Sequence, residues 1–215
     1  MFLGFGTVVN FGLVLLGSSF GLWARRGIPE RLRVGVMHAI GIFTLLLGVK
    51  LLVENKPETI KVFFLLVFGG GLGYWLSLEE RLERLSQGFR GSGFLTASLL
   101  FTVGPLTFSG CLLEAVKGDS GLLLSKAFMD GISSTLLSAT FGRGVLFSAF
   151  YVLFFQLSLT FAFYFFGNFI SPKAMANTLF LGGGLMLALG LKILGLLEEV
   201  KPLNLMPSLL LSVFV

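Results

Sequence analysis

The sequence predicts an all-α polytopic membrane protein of about eight transmembrane helices, or seven if the last apolar stretch stops short of crossing. Three observations carry this. Apolar residues make up 55% of the chain and charged residues only 13%, roughly half the charged share of a soluble domain. Apolar runs recur at about the ~20 residues that a helix needs to cross ~30 Å of hydrocarbon. Many of the 29 glycines lie inside those runs, as suits helices that approach closely in a bilayer. Residues 1–215 read as a single integral membrane domain.

Taken in order, the first span covers about 3–23, with Thr7, Asn10, Val14, Gly17 and Gly21 along one face. It is apolar from its first residues and its positive charges follow the run, so it reads as a retained helix rather than a leader. The second span runs over about 34–53 and ends near Lys50. The turn Glu54-Asn55-Lys56-Pro57-Glu58 leads to the third, about 60–76. Residues 77–90 differ in kind: SLEERLERLSQGFR spaces Leu78, Leu82 and Leu85 among mixed charges, the pattern of a short amphipathic helix lying at the membrane surface or capping the bundle.

The fourth span, about 94–116, is interrupted at Val103-Gly104-Pro105. Proline lacks the helical N–H donor and crowds the preceding turn, so a break is expected there. Glu114, near its end, reads as an interfacial acid. The fifth span, about 121–141, carries Lys126, Asp130, Ser133, Ser134 and Ser138 at spacings of three and four, which place them on one face. Central helices thus occupy 94–142. The sixth span, about 145–166, holds Gln156 and Thr160 one turn apart, and the seventh covers about 174–195. The final 13 residues, 203–215, are short for a crossing.

The basic residues divide unevenly between the two sides. Ten of the 16, including all eight arginines (Arg25, Arg26, Arg31, Arg33, Arg81, Arg84, Arg90 and Arg143), fall on one side with Lys192 and Lys201. That side is assigned to the cytoplasm, with both termini outside. The net charge of +5 therefore bears on orientation, and no basic cluster with interleaved aromatics suggests nucleic acid. A lone Cys111 and a lone His38 exclude a disulfide and a thiolate or histidine metal centre.

An internal repeat is also legible. Gly41-Ile42-Phe43-Thr44-Leu45-Leu46-Leu47-Gly48-Val49-Lys50-Leu51-Leu52 aligns without a gap on Gly183 to Leu194, with both glycines and the lysine coincident. Lys56-Pro57 has its counterpart in Lys201-Pro202, and Asn10 is loosely matched by Gln156. Repeat units of about 3–76 and 145–215 separated by five crossings would run in opposite directions, an arrangement typical of transporters.

Thr96-Ala97-Ser98-Leu99-Leu100-Phe101 with Val103-Gly104-Pro105, then Gly118-Asp119, Lys126, Asp130-Gly131 and Gly144 to Ser148, resembles the YdfK/YqgA-type family of small bacterial membrane proteins. The similarity covers nearly the whole chain, including Asn10 and Arg31-Leu32-Arg33. That family is classed as a domain of unknown function; the resemblance implies an ion-conducting role, with sodium as the ion.

An intramembrane acid is expensive to bury and marks a functional site by default. The site residues predicted are Asp130, Asn10, Gln156, Thr102, Ser98, Thr96, Ser133 and Ser134, with Gly104 and Pro105 as the structural break. Carboxylate, amide, hydroxyl and freed carbonyl oxygens suit a hard cation such as Na⁺; no other cofactor is expected. The competing account of Asp130 is a structural ion pair with Lys126. The expected function is a sodium-conducting channel or transporter. Its alternatives are an H⁺- or Na⁺-coupled transporter of a small organic solute and a non-transporting scaffold, the latter favoured by a dry Asp130 stripe paired to Lys126. Expected partners are the lipid bilayer, a small monovalent cation and a second copy of the chain. No nucleophile–base pair or zinc set points to an enzyme.

Overall fold

A computed structural model describes residues 2–24, 29–81, 84, 93–102 and 104–215. The described residues are helical and contain no strand: α1 (Phe5–Trp23), α2 (Glu30–Glu54), α3 (Thr59–Leu76), α4 (Gly93–Thr102), α5 (Pro105–Lys117), α6 (Gly121–Phe141), α7 (Gly144–Phe166), α8 (Pro172–Ile193) and α9 (Met206–Ser212). Arg25, Arg26, Arg90, Val103 and most of the amphipathic stretch 77–90 lie outside the described residues.

Helix ends follow local chemistry. Ser171 accepts from the Ala174 N–H at 3.0 Å and Pro172 opens α8, the serine supplying an acceptor and the proline a preset φ where no donor is needed. Gly118 closes α5 in the left-handed region at φ 67°, a conformation glycine adopts without steric cost.

Among the described residues, five helices are long and apolar enough to cross a bilayer: α1, α2, α3 with its continuation to Arg81, α7 and α8. The pair α4 and α5, bent by 55° at the predicted break, makes six if counted as one span. Two of the eight expected crossings are therefore of a different kind. At 21 residues α6 has the length of a span, about 31 Å at 1.5 Å per residue, but it carries the buried Lys126 and Asp130. α9 has only seven residues, too few to cross as a helix. The C-terminal stretch nevertheless lies along α3 from end to end, with the Lys201 N–H on the Tyr74 hydroxyl and the Val215 carbonyl on Lys61 Nζ.

The chain clusters into two compact units, each assembled from two segments: Met1–Val36 with Glu83–Gly167, and Met37–Leu82 with Asn168–Val215. In the first, α1 runs parallel to α6. Gly17 meets the Gly131 carbonyl and Ser134, and Gly21 meets Thr135 and Ser138, so closely that neither position has room for a side chain. Small residues on both helices let dispersion contacts accumulate where lipid supplies no hydrophobic drive. Against the other side of α1 packs α7, antiparallel, with Phe11 on Phe150 at 5.2 Å between centroids. Val14, Ala97, Phe101, Val145, Ala149 and Val152 form the apolar core of this unit.

In the second unit α2 and α8 cross antiparallel on the repeated glycines. A methyl group at Gly48 would lie 2.8 Å from the Gly183 carbonyl oxygen, and one at Gly183 2.8 Å from that of Gly48. Likewise, one at Gly190 would lie 2.9 Å from the Gly41 carbonyl. The first glycine of each repeated segment thus faces the second glycine of the other.

Lys192 pairs with Glu79. Glu79 is 5% exposed and accepts from the Leu203 N–H at 3.0 Å, so the start of the amphipathic stretch is docked on this unit. Glu80 takes Lys201 and Asn204. Aromatic side chains such as Phe63, Phe64 and Phe68 on α3, and Phe154, Phe161 and Phe165 on α7, point outward, the surface expected where lipid is the solvent.

Candidate functional site

A buried polar centre sits in the first unit where α1, α4, α6 and α7 meet. Its origin is the break after α4. Phe101 should give its carbonyl to the N–H of residue 105, but Pro105 has none. Two other donors reach that oxygen: Lys126 Nζ at 2.6 Å and the Thr107 hydroxyl at 3.3 Å. Lys126 comes from α6 and also pairs with Asp130 one turn later. Asn10 Nδ2 donates to the same carboxylate oxygen at 3.0 Å and to Gln156 Oε1 at 3.2 Å. Lys126 is 4% exposed and Asp130 8%, so this is an ion pair removed from bulk water. The ammonium has a carboxylate and an orphaned carbonyl as acceptors, and the Asn10 amide supports the carboxylate from its other side.

The structure thus brings together Asp130, Asn10 and Gln156, the three central residues predicted, and places the Pro105 break against them. The hydroxyls divide. Thr102 donates to the Ser98 carbonyl one turn back at 2.6 Å, and Ser134 to the Gly131 carbonyl at 2.7 Å, with that of Val14 at 3.2 Å. Both are taken up by local backbone, a common fate of helical hydroxyls. The Ser98 hydroxyl is buried without a partner. Thr96 and Ser133 are half-buried.

Sequence reasoning misplaced one residue. Glu114, read as interfacial, is 3% exposed. Its Oε1 accepts from the Gly6 N–H at 2.7 Å and from the Ser120 hydroxyl at 2.6 Å. The first interaction places a carboxylate on the start of α1, whose preceding residue Gly4 offers no capping side chain, and where the helix dipole favours negative charge. The periodicity of α5 alone could not find it, because Pro105 to Glu114 are all buried and no face is distinguished.

Several polar atoms of this unit have no partner: Thr7 Oγ1, Asn10 Oδ1, Ser18 Oγ, Ser98 Oγ, Ser109 Oγ, Glu114 Oε2, Gln156 Nε2 and Thr160 Oγ1. Each unsatisfied buried group costs roughly 1–3 kcal/mol, so a cluster of this size calls for a water, an ion or a functional explanation. Among the described residues no group of three or more His, Cys, Asp and Glu side chains could hold a metal ion. The oxygen donors here suit a monovalent hard cation.

The family described as "Protein of unknown function (DUF554)" matches residues 5–215. The chain is 33% identical over 214 residues to "Uncharacterized membrane protein YdfK" of Bacillus subtilis (strain 168), covering 96% of this chain and 93% of that protein. It is 27% identical over 224 residues to "Uncharacterized protein YqgA" of Escherichia coli (strain K12), covering 96% and 94% respectively. No solved structure matches.

Proposed function

The chain belongs to the DUF554 family, membrane proteins of unknown function, and we propose that it moves a small monovalent cation, Na⁺ first, across the bacterial cytoplasmic membrane. The observation that carries this is the buried Lys126 ammonium, already held as a cation by the Asp130 carboxylate and the Phe101 carbonyl, with Asn10 and Gln156 joined to that carboxylate by hydrogen bonds. In this conformation the lysine occupies the place a Na⁺ would take. Entry of Na⁺ therefore requires Lys126 to leave, which favours a gated channel or transporter over a permanently open pore.

The inverted repeat is part of the same reading. Three observations support it: α1 with α7, α2 with α8, and α3 with the C-terminal stretch each run antiparallel, and the glycines of the second pair meet reciprocally. Reciprocal contact is what a two-fold relation between equivalent segments produces. On that reading α6 and the C-terminal stretch complete eight crossings, and no enzymatic chemistry is involved. The functional unit is a homo-oligomer, a dimer in the first instance.

One observation favours a second account. Asp130 and Lys126 neutralise each other, as the core of a non-transporting scaffold would require. Uptake of ²²Na⁺ into proteoliposomes separates the two, with wild type beside Asp130→Asn and with K⁺ and a pH gradient as competing conditions. Saturable uptake lost in the variant supports transport through this centre. Absence of flux under all conditions leaves the scaffold.

A further inference from the structure

We infer that the first unit holds a second cation site, formed by Glu114 with Thr7, Asn10 and Thr160, one helical turn from the Asp130 centre. The inference rests on the reading that this polar core carries a cation. It assigns the ion to an acid that lacks a positive partner.

The two buried acids among the described residues of the unit differ in their electrostatics. Asp130 has Lys126. Glu114 pairs with no lysine or arginine among the described residues, although it is 3% exposed; its Oε1 is anchored by Gly6 and Ser120, and its Oε2 has no partner. A buried carboxylate without a counter-charge is costly in hydrocarbon, and a monovalent cation supplies that charge.

Helical register brings further oxygens to the same level. Asn10 and Gln156 touch, and α1 and α7 run antiparallel, so one turn back on α1 and one turn forward on α7 lead the same way. Those steps reach Thr7 and Thr160, both wholly buried. Thr7 follows Gly6, whose N–H holds Glu114. Thr160 lies beside the Cys111 thiol, one turn from Glu114 on α5, and Cys111 in turn contacts the Gln156 carbonyl at 3.7 Å. Thr7 Oγ1, Glu114 Oε2, Asn10 Oδ1 and Thr160 Oγ1 have no hydrogen-bond partner. One carboxylate, one amide and two hydroxyl oxygens are the ligand types a hard monovalent cation takes. On the orientation given by the arginines, this site lies toward the non-cytoplasmic face, where an incoming ion meets it before the Asp130 centre.

The test is equilibrium binding of ²²Na⁺ to the purified full chain in detergent, comparing wild type with Glu114→Gln, Thr7→Val and Asp130→Asn. Glutamine keeps the acceptor for Gly6 but removes the charge; valine removes only a hydroxyl and keeps the shape. The expected result is saturable wild-type binding, a tenfold or greater rise in the half-saturating Na⁺ concentration for Glu114→Gln, and a smaller rise for Thr7→Val. Wild-type affinity in Glu114→Gln overturns the inference. If Asp130→Asn then abolishes binding, the cation reading survives with its site at Asp130. If Glu114→Gln does not fold, Thr7→Val decides, and unchanged affinity there overturns the inference. Absence of saturable binding in the wild type overturns both.

Discussion

Removing the Lys126 side-chain charge tests how the polar centre is held together. In Lys126→Met the Asp130 carboxylate keeps Asn10 but loses its only cation, and the Phe101 carbonyl keeps only the longer Thr107 contact. Breaking a buried pair by removing one partner costs about 3–5 kcal/mol, because the remaining charge stays desolvated. Replacing both partners by apolar groups of similar volume is near neutral. Lys126→Met/Asp130→Leu should therefore recover most of what Lys126→Met loses. At about 2–4 °C per kcal/mol for a chain of this size, the single variant should melt roughly 10 °C lower, and the double variant within a few degrees of wild type. Cys111, the one cysteine and 0% exposed, provides the assay: a thiol-reactive fluorophore labels it only as the fold opens. An unchanged melting temperature in Lys126→Met, or a double variant less stable than either single, would refute the ion pair as the keystone of this centre. The double variant should also be inactive in ²²Na⁺ uptake, which separates stability from function.

Pro105→Ala restores the N–H that the Phe101 carbonyl lacks. It should reduce the 55° bend, release Lys126 from that oxygen and lower ²²Na⁺ uptake at least tenfold while the protein still folds, as judged by Cys111 protection. Gly17→Val forces a side chain into the Gly131 carbonyl and Ser134; overpacking of this kind costs about 1–3 kcal/mol, read as a lower temperature for Cys111 labelling.

The membrane class and most helices were legible because hydrocarbon imposes length and composition on every crossing segment, and the Pro105 break because a missing N–H is a property of one residue. Asp130, Asn10 and Gln156 were legible for a related reason: each is an isolated polar group in an apolar run, and such groups must find one another. The same logic failed at Glu114 and Glu79. Both lie near charged or polar neighbours, Lys117 and Asp119 for the first and Glu80 and Arg81 for the second, so each looked like the ordinary solvated end of a helix. What buries them is long-range: the start of α1 arriving at Glu114 across 108 residues, and Leu203 arriving at Glu79 across 124. Local sequence cannot encode which distant N–H will arrive.

The Lys126–Asp130 spacing, by contrast, was visible but ambiguous, because an i,i+4 pair on a helix is compatible with a spent charge or with a site in use. The third dimension narrows that ambiguity by adding the Phe101 carbonyl. The ammonium carries three donors, and the carbonyl that Pro105 has left without its own donor is the second acceptor it meets. If transport runs through this centre Lys126 must leave it, and Pro105→Ala, which leaves both charges in place but returns the Phe101 carbonyl to the helix, tests whether that carbonyl is a ligand of the entering ion.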